Sequence, residues 1–142
     1  MEMQKIELKA FLVCRDVLVN SRKDSVISII NIFNELRVNK FPAELGTICL
    51  VAIYSGAPGE YTHHFEIWTR GVQVGDTPLS KFFLENSVSM FHVASYMDGV
   101  VCEQPQQFTF KSFLNGEEMG STSLGIFKPL HDRDFEDDEF NI

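Results

Sequence analysis

The 142-residue chain predicts an all-β fold, an antiparallel sandwich or barrel of about eight or nine short strands. Three observations predict it. First, Asn115-Gly116 separates two extended runs within residues 107–127, and a tight primed turn needs positive φ at both central positions, which these two residue types tolerate. Second, apolar runs rich in β-branched residues recur upstream, bounded by turn residues at the spacing of a sandwich or barrel. Third, no segment carries a helical period. A lone hairpin is marginal in water, so the C-terminal hairpin must pack on the strands before it.

Taken in order, residues 6–14 place Ile6, Leu8, Ala10, Leu12 and Cys14 on one face, with Glu7 and Lys9 giving way to Phe11 and Val13 on the other: a strand entering a core. Residues 16–19 continue it, and residues 20–24 are polar enough to turn. Residues 26–33, Val-Ile-Ser-Ile-Ile-Asn-Ile-Phe, read as a central strand buried on both faces. Residues 34–40, with Leu36 and Val38 between polar neighbours, read as an edge strand ended by Phe41-Pro42, since proline lacks a ladder donor. Residues 47–54 are apolar on both sides, and residues 55–60 form a turn. Beyond it, Tyr61, His63, Phe65 and Ile67 share one face, opposite Thr62, His64, Glu66 and Trp68. Arg70-Gly71 turns the chain towards Val72 and Val74, residues 75–78 break it, residues 82–84 resume extended structure, and residues 87–96 alternate again. Residues 97–106 connect to the final hairpin, where Phe108 and Phe110 alternate with Gln107, Thr109 and Lys111. Residues 1–130 thus make one domain, a length ample for one core and too short for two ordinary ones.

Composition narrows the function classes. Hydrophobic residues at 44% and charged residues at 23% are ordinary globular usage, which argues against a disordered or fibrous chain. Twelve Lys plus Arg against 20 Asp plus Glu leave a net charge of -8, and an acidic surface repels phosphate backbones, so nucleic acid is a disfavoured partner. Three cysteines, Cys14, Cys49 and Cys102, are too few and too far apart for a disulfide framework, which fits a reducing cytoplasm. The first residues lack a secretory apolar run, and no stretch approaches the roughly 18 apolar residues of a membrane span.

After Pro129 the composition changes. Residues 131–142 hold six of the 20 acids and one of the 12 basic residues, so this segment carries -5 of the net -8. Such a run repels itself and lacks the apolar surface to fold alone. Phe135, Phe140 and Ile142 interrupt the acids Glu136, Asp137, Asp138 and Glu139. Acid with spaced apolar anchors is the composition of a peptide that docks its anchors into a partner's pocket while its carboxylates meet Lys and Arg at the rim. The same composition is similar to the C-terminal tips of single-stranded-DNA-binding proteins. The bland alternative is a tail that only keeps the chain soluble.

Leu12-Val13-Cys14-Arg15-Asp16, residues 25–33, Phe41-Pro42, Leu50-Val51-Ala52 and Leu114-Asn115-Gly116-Glu117 together resemble a family of small bacterial proteins of unknown function that are similar to immunoglobulin-like β-sandwiches. The resemblance spans about residues 8–128 and implies an immunoglobulin-like sandwich with no assigned activity. Where that family has glycine this chain has Asn31, which also visits left-handed backbone.

Residues that could carry chemistry are few. His63 and His64 are adjacent on a strand, so they point to opposite faces and do not serve one ion together, and Cys49, Cys102, His92 and His131 are distant from them in sequence. No pair of short-spaced ligands marks a zinc site, and no metal or cofactor is implied. Cys14 and Cys49 sit inside apolar strands, as buried structural thiols do. Asp16 could serve a catalytic role but, beside Arg15 at a strand end, reads as a turn or pairing residue. No nucleophile elbow, phosphate loop or His-Glu zinc motif occurs, and Gly56-Ala57-Pro58-Gly59 precedes a strand instead of a helix. Tyr54, Tyr61, Trp68, Phe91 and Tyr96 could form a base-stacking platform, although a core of this size needs most of its aromatics.

The expectation is therefore a cytoplasmic, non-catalytic domain that binds another macromolecule, a protein, through Phe135, Glu136, Asp137, Asp138, Glu139, Phe140 and Ile142. One alternative is a single-stranded nucleic-acid binder with a regulatory acidic tail. Another is a small-ligand or metal-binding protein using His63, His64 or Asp16. An uncovered edge near residues 36–39 leaves homo-oligomerisation open.

Overall fold

Residues 6–19, 26–85 and 90–129 are described by the structure, a computed structural model. Every regular element within them is a strand. In order these are β1 (Glu7–Cys14), β2 (Asp16–Val19), β3 (Ile27–Ile30), β4 (Glu35–Arg37), β5 (Ala43–Glu44), β6 (Ile48–Ser55), β7 (Gly59–Thr69), β8 (Val72–Asp76), β9 (Ser80–Leu84), β10 (Phe91–Met97), β11 (Val101–Cys102), β12 (Gln106–Leu114) and β13 (Glu117–Phe127). Among the described residues there is no helix long and apolar enough to cross a membrane.

Two larger sheets organise the chain. β6 lies between β1 and β10, and a second sheet runs β4-β13-β12-β7-β8, with β9 pairing on the other half of β7. The hairpin β12–β13 closes at Asn115 and Gly116 with φ of 53° and 81°, the geometry its sequence predicts. The turn at Arg70 and Gly71, φ 53° and 75°, is built the same way. Because β1 runs beside β13, the sheets curl into a half-barrel. The Leu8 side chain packs over Gly120, where a Cβ would run into its Cδ2, so any larger residue there must push the end of the Leu8 side chain aside.

The main core fills the space between the sheets: Ile48, Leu50, Ala52 and Tyr54 from β6 meet Tyr61 and Phe65 from β7, Phe110 and Leu114 from β12, and Leu124 and Ile126 from β13. The other face of β6 carries Cys49 and Val51 into a second, smaller core, which Val17, Ile27 and Ile29 help to enclose. A strand apolar on both sides is what residues 47–54 predict, and β6 is buried on both.

Residues 26–33 differ from expectation. Instead of a central strand buried on both faces, β3 pairs only with β2, Asp16↔Ile30 to Val19↔Ile27, in a two-stranded ribbon. One side of the ribbon packs on the three-stranded sheet, while Leu18, Val19, Val26 and Ile32 are about half exposed. Apolar composition does not distinguish a strand covered twice from one covered once. Asn31 adopts φ 55° where the chain leaves the ribbon. The prediction of a purely antiparallel sheet is also corrected, since β4 pairs parallel to β13. The long chain between them frees this pair from the antiparallel order that a hairpin imposes. Residues 97–106 contain a short strand, β11, that pairs with β5.

Candidate functional site

The larger sheet turns Tyr61, His63 and Phe65 of β7 and Phe110, Ser112 and Leu114 of β12 inward, a consequence of the period-two alternation legible in both strands. Leu114 sits opposite His63 and Ser112 opposite Phe65, which brings His63 and Ser112 onto one diagonal of the ladder. His63 Nε2 lies 2.7 Å from Ser112 Oγ, and Ser112 Oγ lies 2.6 Å from the hydroxyl of Tyr54, which reaches across from β6. The row His63–Ser112–Tyr54 therefore joins the two sheets by hydrogen bonds. Burial, and secondarily the neighbouring His64, push the His63 pKa down to about 4, so the ring is neutral at pH 7. Burial likewise pushes the Tyr54 phenol up.

A serine beside a neutral imidazole has the chemistry of an activated nucleophile. Its burial opposes that role. His63, Ser112 and Tyr54 are each at most 1% exposed, and neither described cavity reaches them. The edge-to-face contact of His63 on Phe65, 4.4 Å between centroids, and the packing of Tyr54 against Phe91 close the site further. The row acts as a satisfied polar strut in an apolar core. Ser112 escapes sequence reasoning: the alternation of β12 turns it inward, but nothing local says that His63 and Tyr54 meet it there.

The opposite face of the same sheet is partly exposed and carries the other half of each alternation. His64 stacks on Phe113 at 4.8 Å and lies 3.2 Å from Glu66, Trp68 Nε1 donates to Glu66 at 2.9 Å, and Lys111 Nζ sits 4.0 Å over the Trp68 ring. His63 and His64 thus face opposite sides of the sheet, and each already has a partner. Among the described residues no three of His, Cys, Asp and Glu group as a metal site.

The five aromatics of the supposed base-stacking platform are not brought together on one exposed face. Tyr54 and Tyr61 are buried, Phe91 packs against both, Trp68 lies on the outer face, and Tyr96 sits at the ribbon. Alternation along β6, β7 and β10 scatters them. The Tyr96 hydroxyl donates to Asp16 at 2.6 Å and accepts from the Val17 amide at 3.1 Å. Asp16 is thereby a pairing residue at the root of the ribbon, while Arg15 bonds the Leu45 and Thr47 carbonyls at 2.8 Å and lies over Phe33. Cys14 and Cys49 stand directly opposite each other on β1 and β6, fully buried, and burial raises both thiols, Cys49 to about 12. Such thiols are poor nucleophiles.

Two cavities stand out among the described residues. A polar cleft of about 430 Å³ opens beside Asn34, Glu35, Gln107, Thr122, Ser123 and Phe127, and its one carboxylate, Glu35, is bound by Arg37 at 2.7 Å. An apolar void of about 50 Å³ lies among Ile48, Ile67, Phe108 and neighbours, too small for a metabolite.

With this geometry in hand, the comparisons with known proteins bear on fold alone. No family model and no curated protein matches the chain. A solved structure, Pseudomonas fluorescens alkylpurine DNA glycosylase AlkC bound to DNA containing an abasic site analog, is similar at a TM-score of 0.54 and 12% identity. The match covers 86% of this chain and 30% of that one. At that identity the likeness is one of architecture, and the chain spans under a third of the other protein's length. The predicted docking residues Phe135, Glu136, Asp137, Asp138, Glu139, Phe140 and Ile142, like His131, lie outside the described residues.

Proposed function

We propose that this chain is a cytoplasmic, non-catalytic β-sandwich of immunoglobulin-like type that binds a protein partner, with the acidic-aromatic segment 131–142 as its docking peptide. The observation that carries this reading is the contrast between sites and surface. His63, Ser112, Asp16, His64 and Glu66 are each engaged by another side chain, whereas Leu18, Val19, Val26 and Ile32 on the ribbon and Val72, Val74, Leu79 and Phe83 near β8 and β9 face solvent. Apolar side chains gathered on a surface are the raw material of an interface. Three unpaired, fully buried thiols support the reducing compartment.

Affinity capture from host lysate tests the proposal, comparing the full chain, a 1–130 truncation, the double variant Phe135→Ala/Phe140→Ala, and Leu18→Asp. A protein held by the full chain and lost by both tail variants supports the docking peptide. Loss confined to Leu18→Asp moves the contact to the ribbon, and no specific capture by any form defeats the reading.

A second reading, single-stranded nucleic-acid binding, draws on Lys111 over Trp68 on the outer face. It predicts a low-salt gel shift that weakens steeply with added salt. The net charge of -8 and the scattered aromatics favour the first reading.

A further inference from the structure

Among the described residues, most sheet edges carry a device that discourages further pairing. β4 is three residues long, with Glu35 and Arg37 ion-paired. β8 joins β7 through a bulge and ends at Asp76, β9 carries Lys81 paired with Glu60, and β1 is bulged between Leu8 and Ala10 and runs beside β13. Short, charged and bulged edges are how sheets avoid pairing with other chains.

β10 has none of these. Phe-His-Val-Ala-Ser-Tyr-Met contains no charged residue and no proline, and its register on β6 is unbroken over seven residues. β10 pairs only with β6, and among the described residues no backbone group outside β6 bonds to the backbone of β10.

The strand is also complementary to itself. Phe91, Val93, Ser95 and Met97 face the main core, opposite Tyr54, Ala52, Leu50 and Ile48 of β6, while His92, Ala94 and Tyr96 face the other way. We propose that β10 pairs antiparallel with β10 of a second copy across a two-fold axis at Ala94, joining two three-stranded sheets into one of six. In that register Ala94 opposes its own copy, His92 opposes Tyr96, and Phe91 opposes Met97, so large side chains flank a small centre on both faces. Aromatic and sulfur–aromatic cross-strand pairs of this kind are favourable. A two-fold interface needs such a self-matching patch. A partner strand bearing charge would find no counter-charge along β10, whereas two acidic chains meet here on a neutral strip. The inference is independent of the tail.

Sedimentation velocity of the full chain over about 1–100 μM tests it, because dimerisation follows mass action. The expected result is a species of twice the 16.2 kDa chain mass whose population rises with concentration. Ala94→Cys should cross-link that dimer when diamide takes two electrons and two protons from the paired thiols, since opposed Cα atoms about 4.5–5.5 Å apart fall within disulfide reach. Cys14, Cys49 and Cys102 are fully buried, so the parent chain should not cross-link. Ala94→Lys sets two ammonium groups against each other and should raise the dissociation constant at least about tenfold, with circular dichroism confirming the fold. A monomer at every concentration overturns the proposal, as does a dimer that Ala94→Cys fails to cross-link. If Ala94→Lys does not fold, the cross-link alone decides.

Discussion

The Ser112 hydroxyl bridges His63 on its own sheet, 2.7 Å away, and Tyr54 on the facing sheet, 2.6 Å away. One small side chain thus satisfies two large polar groups that are themselves buried. Ser112→Ala keeps the volume nearly unchanged but leaves both groups without this partner. The expected cost is about 1–3 kcal/mol in urea unfolding. Tyr54→Phe removes one hydroxyl and should cost less. Equal or smaller loss in Ser112→Ala would mean that water takes the place of the bridge.

His63 also sets a pH dependence. Its folded pKa, about 4, lies below the ordinary 6.5, so between these values the unfolded chain binds a proton that the folded chain refuses. The stabilising contribution is complete above about pH 6.5, declines as pH falls, and levels off below about pH 4. The full span corresponds to about 3 kcal/mol. His63→Gln should flatten the urea-derived stability between pH 6.5 and 4.5 by up to one proton's slope. An unchanged slope would show that other groups govern this window.

Tyr96 ties the ribbon to β10 through Asp16 and the Val17 amide. Tyr96→Phe deletes that tie while leaving the ring. The expected effect is faster amide exchange in β2 and β3 and faster labelling of Cys14 and Cys49 by a thiol reagent, because the ribbon covers them. Cys102 belongs to the main core and serves as the internal control, its labelling rate unchanged.

Lys111 sits 4.0 Å from the centroid of Trp68, the chain's one tryptophan. Lys111→Met retains the aliphatic stem and removes the charge, so it should alter the Trp68 emission of the folded protein and cost about 0.5–1 kcal/mol in denaturant titration. Emission and stability both matching the parent would show the contact to be without consequence.

The local features are legible in the residues themselves. Asn115-Gly116 determined a hairpin, since few residue pairs adopt two successive positive φ angles. Alternation in residues 61–68 determined which side of β7 is buried, since the pleat has a period of two. The same period sends His63 and His64 to opposite faces of the sheet, whatever covers either face. Tertiary structure alone decided what that cover is. Ile27 and Ile29 read as a central strand, yet they form a ribbon with one exposed side, because hydrophobicity records a preference for burial and not the surface that provides it. The meeting of His63 with Ser112 and Tyr54 was equally illegible, as Ser112 lies 49 residues from His63 and 58 from Tyr54 along the chain, and only the stacking of one sheet on the other brings all three within hydrogen-bond reach.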